Sequence, residues 1–144
     1  MSIEITGVKD VQNILNSLLP KHARNLMRAT IHGVASTIAK EAKTNAPKDK
    51  GVLKKAIKAR RKKSHPDAPV SEVYILTGKS KKYDAFYWKF VEFGTSGKTA
   101  QSERPFIRPA SDKARAGFNA VITKEFGKKL EQLAARDAKR RANK

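Results

Sequence analysis

Two prolines, Pro20 and Pro47, bracket a stretch in which Ala23, Leu26, Met27, Val34, Ile38 and Ala42 fall along one face of a helix. Arg24, Arg28, Lys40 and Lys43 lie mostly elsewhere on it. The period of 3.6 residues predicts an amphipathic helix from Lys21 onward, and Pro47, which cannot donate an amide hydrogen, stops it. A helix of that length with one apolar stripe must bury the stripe against something. The rest of the chain therefore has to supply a partner layer.

Before this helix, Ile3-Glu4-Ile5 alternates like a short strand and Gly7 breaks it. Val8, Val11, Ile14, Leu15, Leu18 and Leu19 then recur at helical spacing, so residues 1–20 read as a strand and a short helix. After it, Lys48-Asp49-Lys50-Gly51 reads as a turn, and Val52, Leu53 and Ile57 as a helical turn leading into a basic strand. His65-Pro66-Asp67-Ala68-Pro69 is a loop. Val70 to Leu76 has the β-branched and aromatic content of a second strand, so the two are expected to pair as a hairpin across an extended, mobile loop.

Tyr83, Phe86, Tyr87, Trp88, Phe90, Val91 and Phe93 crowd together ahead of Gly94-Thr95. Phe86 with Phe90, and Tyr87 with Val91, are i, i+4 pairs, which favours a short helix there over a strand. Ser96 to Arg104 reads as a flexible loop, and Pro109 suits the first turn of a last helix. That helix carries Ala110, Ala114, Phe118, Val121, Ile122, Phe126, Leu130 and Leu133 on one stripe, with Gly117 and Gly127 as points of bending. From residue 137 to 144 the pattern fades into a basic end, expected to fray or to meet a partner. The whole predicts one α+β domain over residues 1–144: two long helices packed on a small, mainly antiparallel β-sheet with an extended hairpin loop.

Charge narrows the function. The chain of 144 residues carries 32 Lys and Arg against 13 Asp and Glu, a formal +19 spread along its length. Such a charge opposes compaction and calls for an anionic partner, nucleic acid being the commonest. Lys54, Lys55, Lys58, Arg60, Arg61, Lys62 and Lys63 are concentrated in one run without an acid among them. They are the candidate contacts to a DNA backbone, each phosphate contact contributing about −0.9 to the salt slope on duplex DNA. No zinc-finger spacing and no recognisable helix-turn-helix accompany them, so the expected contact is independent of base sequence.

Catalysis finds little support. Without cysteine there are no disulfides, thiolate metal sites or thiol nucleophiles. His22, His32 and His65 form no ligand-spaced cluster, the first two falling roughly 80° apart around a helix. No phosphate-binding glycine loop, zinc-protease or calcium-loop pattern occurs, so no cofactor and no metal are expected. Asp67, Glu72, Asp84 and Glu92 are the carboxylates a metal-dependent nuclease would draw on, yet their spacing matches no compact two-metal set. Glu92 stands out because it lies among aromatics, where an ionised carboxylate needs a partner, and Arg104 and Arg108 are the candidates. No apolar run is long enough to span a bilayer, so a soluble chain with no membrane partner is expected.

Three segments carry a family resemblance. The first is Ala46-Pro47 followed by Gly51-Val52-Leu53 and a basic and apolar stretch; the second is Val91-Glu92-Phe93-Gly94-Thr95; the third is Arg104-Pro105-Phe106-Ile107-Arg108-Pro109-Ala110. In this order the chain resembles the tail-component family of lambda-like siphophages and prophages, whose members are assigned to tail completion or head-tail joining. The resemblance implies a non-enzymatic virion protein of the tail or neck, present in the host cytoplasm during assembly. It also implies a homo-oligomeric ring, sixfold, that touches neighbouring neck or tail-terminator proteins. Gly51, Leu53, Glu92, Gly94, Thr95, Arg104, Pro105, Phe106, Arg108 and Pro109 are then structural motif residues, and lysines facing the ring lumen would hold or guide the end of the double-stranded genome. Two readings from other classes stand beside it: a free, sequence-independent DNA-binding protein and, more remotely, the nuclease.

Overall fold

The computed structural model describes residues 20–143 except 49, 80 and 81, together with Lys9, Asn13 and Asn16. The strand and short helix expected within residues 1–20 lie outside the described residues. From Pro20 the order is α1 (Pro20–Asn45), α2 (Val52–Ala56), β1 (Ile57–Lys62), β2 (Val70–Ile75), α3 (Trp88–Phe93), α4 (Ile107–Ala116) and α5 (Phe118–Ala142). This is the expected α+β class, with α1 and α5 as its two long helices.

α1 is the element against which the others assemble, contacting the hairpin, α2, α4 and α5. Its buried face overlaps the stripe read in the sequence at Leu26, Val34 and Ala42 and adds small residues beside it. Leu26, Thr30, Gly33, Val34, Ala35, Ala39 and Ala42 are buried, whereas Ala23, Met27 and Ile38 are only partly so. Small side chains set this face because they let backbones approach. A Cβ on Gly33 would meet the Glu125 carboxylate of α5, which would have to swing aside. Thr30, the one buried hydroxyl of α1, donates to the Leu26 carbonyl at 2.9 Å, whereas His32 Nδ1 of the same helix is enclosed without a hydrogen-bond partner.

The core beyond Ala39 is likewise built from small residues around a few large ones: Ala42, Ala46, Leu53, Ala56, Ile57, Ala85, Phe106 and Ala110. A second patch between α1 and α5 holds Phe126 and Leu130. β1 and β2 pair antiparallel, Ile57 opposite Ile75 and Lys62 opposite Val70. Ile57, Ala59, Val73 and Ile75 turn inward, leaving the alternate residues outside. The pairing is continued by Leu76 N–H to the Ala56 carbonyl and by Ala85 N–H to the Leu76 carbonyl, each at 3.0 Å.

The C-terminal half adds local detail. The last helix is divided at Gly117, whose φ of −101° and ψ of 21° leave the helical region, while Gly127 is accommodated without a break. Its basic end is helical to Ala142. The segment Ser96 to Arg104 is a loop, as expected, and is bounded by a bridge between Thr95 and Gln101 and by Arg104 N–H donating to the Val91 carbonyl at 2.8 Å.

Candidate nucleic-acid interface

The seven cations of the basic run are distributed over distinct settings. Lys54 and Lys55 belong to α2, and Lys55 Nζ lies 5.6 Å from the centre of the Tyr83 ring. Lys58, Arg60 and Lys62 alternate along β1 on the face turned away from the core, about 7 Å apart at the rise of a strand. Arg61 has the opposite parity and is nevertheless exposed, and Lys63 begins the loop. Only Lys58, Arg60 and Lys62 therefore form a row.

That row is less cationic than the sequence suggests. Register places Glu72 directly opposite Arg60, and its carboxylate receives Arg60 Nε at 2.6 Å and Lys62 Nζ at 3.4 Å. The Arg60 hydrogen bond, helped by the charge of Lys62, holds Glu72 below the usual carboxylate range. Tyr74, across from Lys58, sits under the Arg60 guanidinium at 4.4 Å from ring centre to Cζ. Cross-strand pairing thus neutralises one charge of the three and holds Arg60 flat against the sheet. A signal for this existed in the sequence, since Arg60 and Glu72 are equally distant from Pro66 at the middle of the loop. The loop itself is tied back to α1 by Asp67 accepting from Arg24 Nε at 2.6 Å.

The other motif residues converge around Glu92. Its carboxylate is 1% exposed and accepts three consecutive backbone N–H groups, from Phe106 at 2.8 Å, Ile107 at 3.0 Å and Arg108 at 2.9 Å. Those are the donors a helix leaves unsatisfied at its start, so Glu92 of α3 caps α4 from outside that helix. Arg108 adds Nε at 3.3 Å and spans to the Glu92 carbonyl at 2.9 Å and to Glu103 at 2.8 Å. Burial pushes the Glu92 carboxyl up, but the backbone donors and the guanidinium outweigh it and hold it below its ordinary value. Of the two arginines considered, Arg108 is the partner. Arg104 contributes its backbone N–H to Val91 instead. The capping role had no signal in α3 itself; a carboxylate followed by Pro-Phe-x-Arg-Pro hints at it only once the fold is known.

Gly94 follows α3 at φ 71° and ψ −176°, and a Cβ there would lie 2.7 Å from the Gln101 carbonyl oxygen. Gly51 precedes α2 at φ 73° and ψ 3° with open space around it. Thr95 Oγ1 donates to the Thr99 carbonyl at 3.2 Å and accepts from Gln101 N–H at 2.9 Å. Leu53 and Phe106 are buried, Pro105 half-buried, and Pro109 lies exposed in the first turn of α4.

The four carboxylates weighed for metal chemistry are separated by these roles. Asp67 pairs with Arg24 and Glu72 with Arg60. Asp84 accepts Gly78 N–H at 2.8 Å and Phe86 N–H at 3.2 Å, while Glu92 caps α4. Among the described residues no group of three or more His, Cys, Asp or Glu side chains is placed to hold a metal ion. Nor is any helix there long and apolar enough to cross a membrane.

The family model described as "Bacteriophage HK97-gp10, putative tail-component" matches residues 9–94, more than half of the chain. The match takes in α1, the basic run, the hairpin and the segment ending Val91-Glu92-Phe93-Gly94, and stops short of the Arg104 to Ala110 segment. No curated protein matches the chain significantly, and no solved structure does.

Proposed function

The chain belongs to the HK97-gp10-like family of phage tail components, and from that premise we propose that it is a ring subunit acting at tail completion or head-tail joining. Family membership is the observation that carries the reading. It makes the protein a structural component of the phage tail, and the proposal adds the position, the sixfold ring and the contact with the genome end.

The hairpin supports the genome contact. Lys58, Arg60 and Lys62 form a row on a strand whose other face is fixed to α1, so the cations are presented without ordering a loop first. After Glu72 is discounted, two net charges remain in the row, and Lys63 follows it at the start of the loop. Repeated around a ring, a weak row becomes a strong one, because contacts made by linked copies add without new entropy of association. No part of the row is arranged to read base edges. The contact expected is with phosphates and strongly dependent on salt.

Deleting the gene and imaging the particles tests the position. Tailless particles, or heads and tails that fail to join, are expected; joined, infectious particles without the protein would refute it. For the genome contact, Lys58→Ser with Lys62→Ser should leave particles that join but lose or fail to deliver DNA. Strong salt-sensitive DNA binding by an isolated monomer, with assembly indifferent to its loss, would favour a free DNA-binding protein instead.

A further inference from the structure

Resting on the reading of a ring subunit, we propose that the phenylalanine stripe Phe86, Phe90 and Phe93 is a contact surface between copies of this chain. Phe90 and Phe93 lie in α3 and Phe86 in the turn before it, and the three, from Phe86 to Phe93, are 68%, 50% and 60% exposed. They are not the apolar face of a helix that lacks a core, since the opposite side of α3 supplies Trp88 and Val91 to the core and Glu92 to the α4 cap. α3 is thus apolar on both sides, and its own fold consumes only one. The stripe is held rigidly as well, with α3 tied to α4 through Glu92 and to the following loop through Val91. Beside it a cavity of about 320 Å³ is lined by Pro47, Gly51, Leu53, Val91 and Arg104, with Phe90 on its rim, so the apolar surface continues past the helix.

Charge identifies the occupant. Two copies each carrying +19 repel, and they can meet only where cations are sparse. From Tyr83 to Thr95 the one cation is Lys89, and Arg108, whose guanidinium lies 5.2 Å from the centre of the Phe93 ring, is paired with Glu92 and Glu103. This makes the segment a nearly neutral window in a basic molecule. An acidic foreign partner would gain more by docking on the β1 row or on the basic turns of α5. A like-charged copy gains most from an apolar face that avoids them, and exposed aromatic clusters of this kind mark interaction sites rather than free surface.

Phage particles carrying p-benzoyl-phenylalanine in place of Phe90 test this directly. Irradiation is expected to give a product of twice the chain mass containing peptides of this chain alone. A cross-link to a different virion protein, or none in particles that contain the chain, would overturn the contact while leaving the tail-component assignment intact. Particles lacking the chain altogether would overturn both the contact and the ring-subunit reading. In parallel, Phe86→Ser with Phe90→Ser should lower incorporation into particles by about tenfold or more, the scale of a central aromatic contact, with an unchanged unfolding curve. Phe118→Ser, at an exposed position on α5, serves as the control. Wild-type incorporation of the double variant, or an equal loss in the control, would refute the assignment.

Discussion

Replacing Glu92 by alanine should destabilise the protein more than removing its ion-pair partner Arg108, and the hydrogen bonds say by how much. The substitution strands the N–H groups of Phe106, Ile107 and Arg108. Phe106 is fully enclosed and Ile107 partly so, whereas Arg108 is reached by water. At about 1–3 kcal/mol for each donor left without a partner, the first two together cost about 2–6 kcal/mol. Against a typical total of about 5–15 kcal/mol, that is a large part of the margin. Glu92→Gln keeps the shape and one acceptor oxygen but sets an amide NH2 against one of the donors, and loses the charge, for about 1.5–3 kcal/mol. Arg108→Ala removes a side chain that is 47% exposed, so solvent screening makes its cost the smallest of the three. Urea unfolding is the assay, followed by fluorescence of Trp88, the single tryptophan, which lies one helical turn before Glu92. The expected order is Glu92→Ala, then Glu92→Gln, then Arg108→Ala. A loss below about 1 kcal/mol in Glu92→Ala would refute the cap as a stabilising element. Arg108→Ala matching Glu92→Ala would show that the ion pair, and not the backbone donors, dominates.

The same group sets a pH dependence: the Glu92 carboxyl is held below its ordinary value in the folded chain, so its contribution is present above the unfolded value of about 4.3 and fades as pH falls through the folded one. Acid titration of stability should show this loss in the wild type and a flatter curve in Glu92→Gln. At Gly94 the φ of 71° with ψ near 180° is a region that suits glycine alone, and the Gln101 carbonyl blocks a Cβ, so Gly94→Ala should cost about 2–4 kcal/mol in urea unfolding. Gly51→Ala, in left-handed helical backbone with open space, should cost only about 1 kcal/mol. Glu72→Gln releases Arg60 and Lys62, and is expected to strengthen duplex DNA binding and steepen its salt slope by up to about 0.9 for each added phosphate contact. Unchanged or weaker binding in a salt titration would remove the β1 row from the interface.

Local chemistry made much of this legible in advance. Pro47 ended α1, the glycines at 51 and 94 marked turns, and the run Val70 to Leu76 gave a strand, each because a backbone preference acts within a few residues. The basic run was visible for the same reason, being a matter of composition. Its division among α2, the outer face of β1 and the loop was not, and neither was its partial neutralisation by Glu72. Both depend on which residue faces which across the hairpin.

The amino-acid sequence by itself therefore determined most of the described elements from Pro20 onward, their order, the charge and the family. Tertiary structure alone decided how they are used. It placed Ala39, Ala42, Ala46 and Ala110 at the centre and left Phe86, Phe90 and Phe93 outside, against the ranking of side chains by size. It also made Glu92 the cap of a helix that begins fifteen residues later at Ile107. The physical reason is range: a periodic pattern says that a helix has an apolar side, but where both sides are apolar only packing against distant elements chooses which one is buried. A buried carboxylate in turn announces that it needs donors, and only the folded chain supplies them.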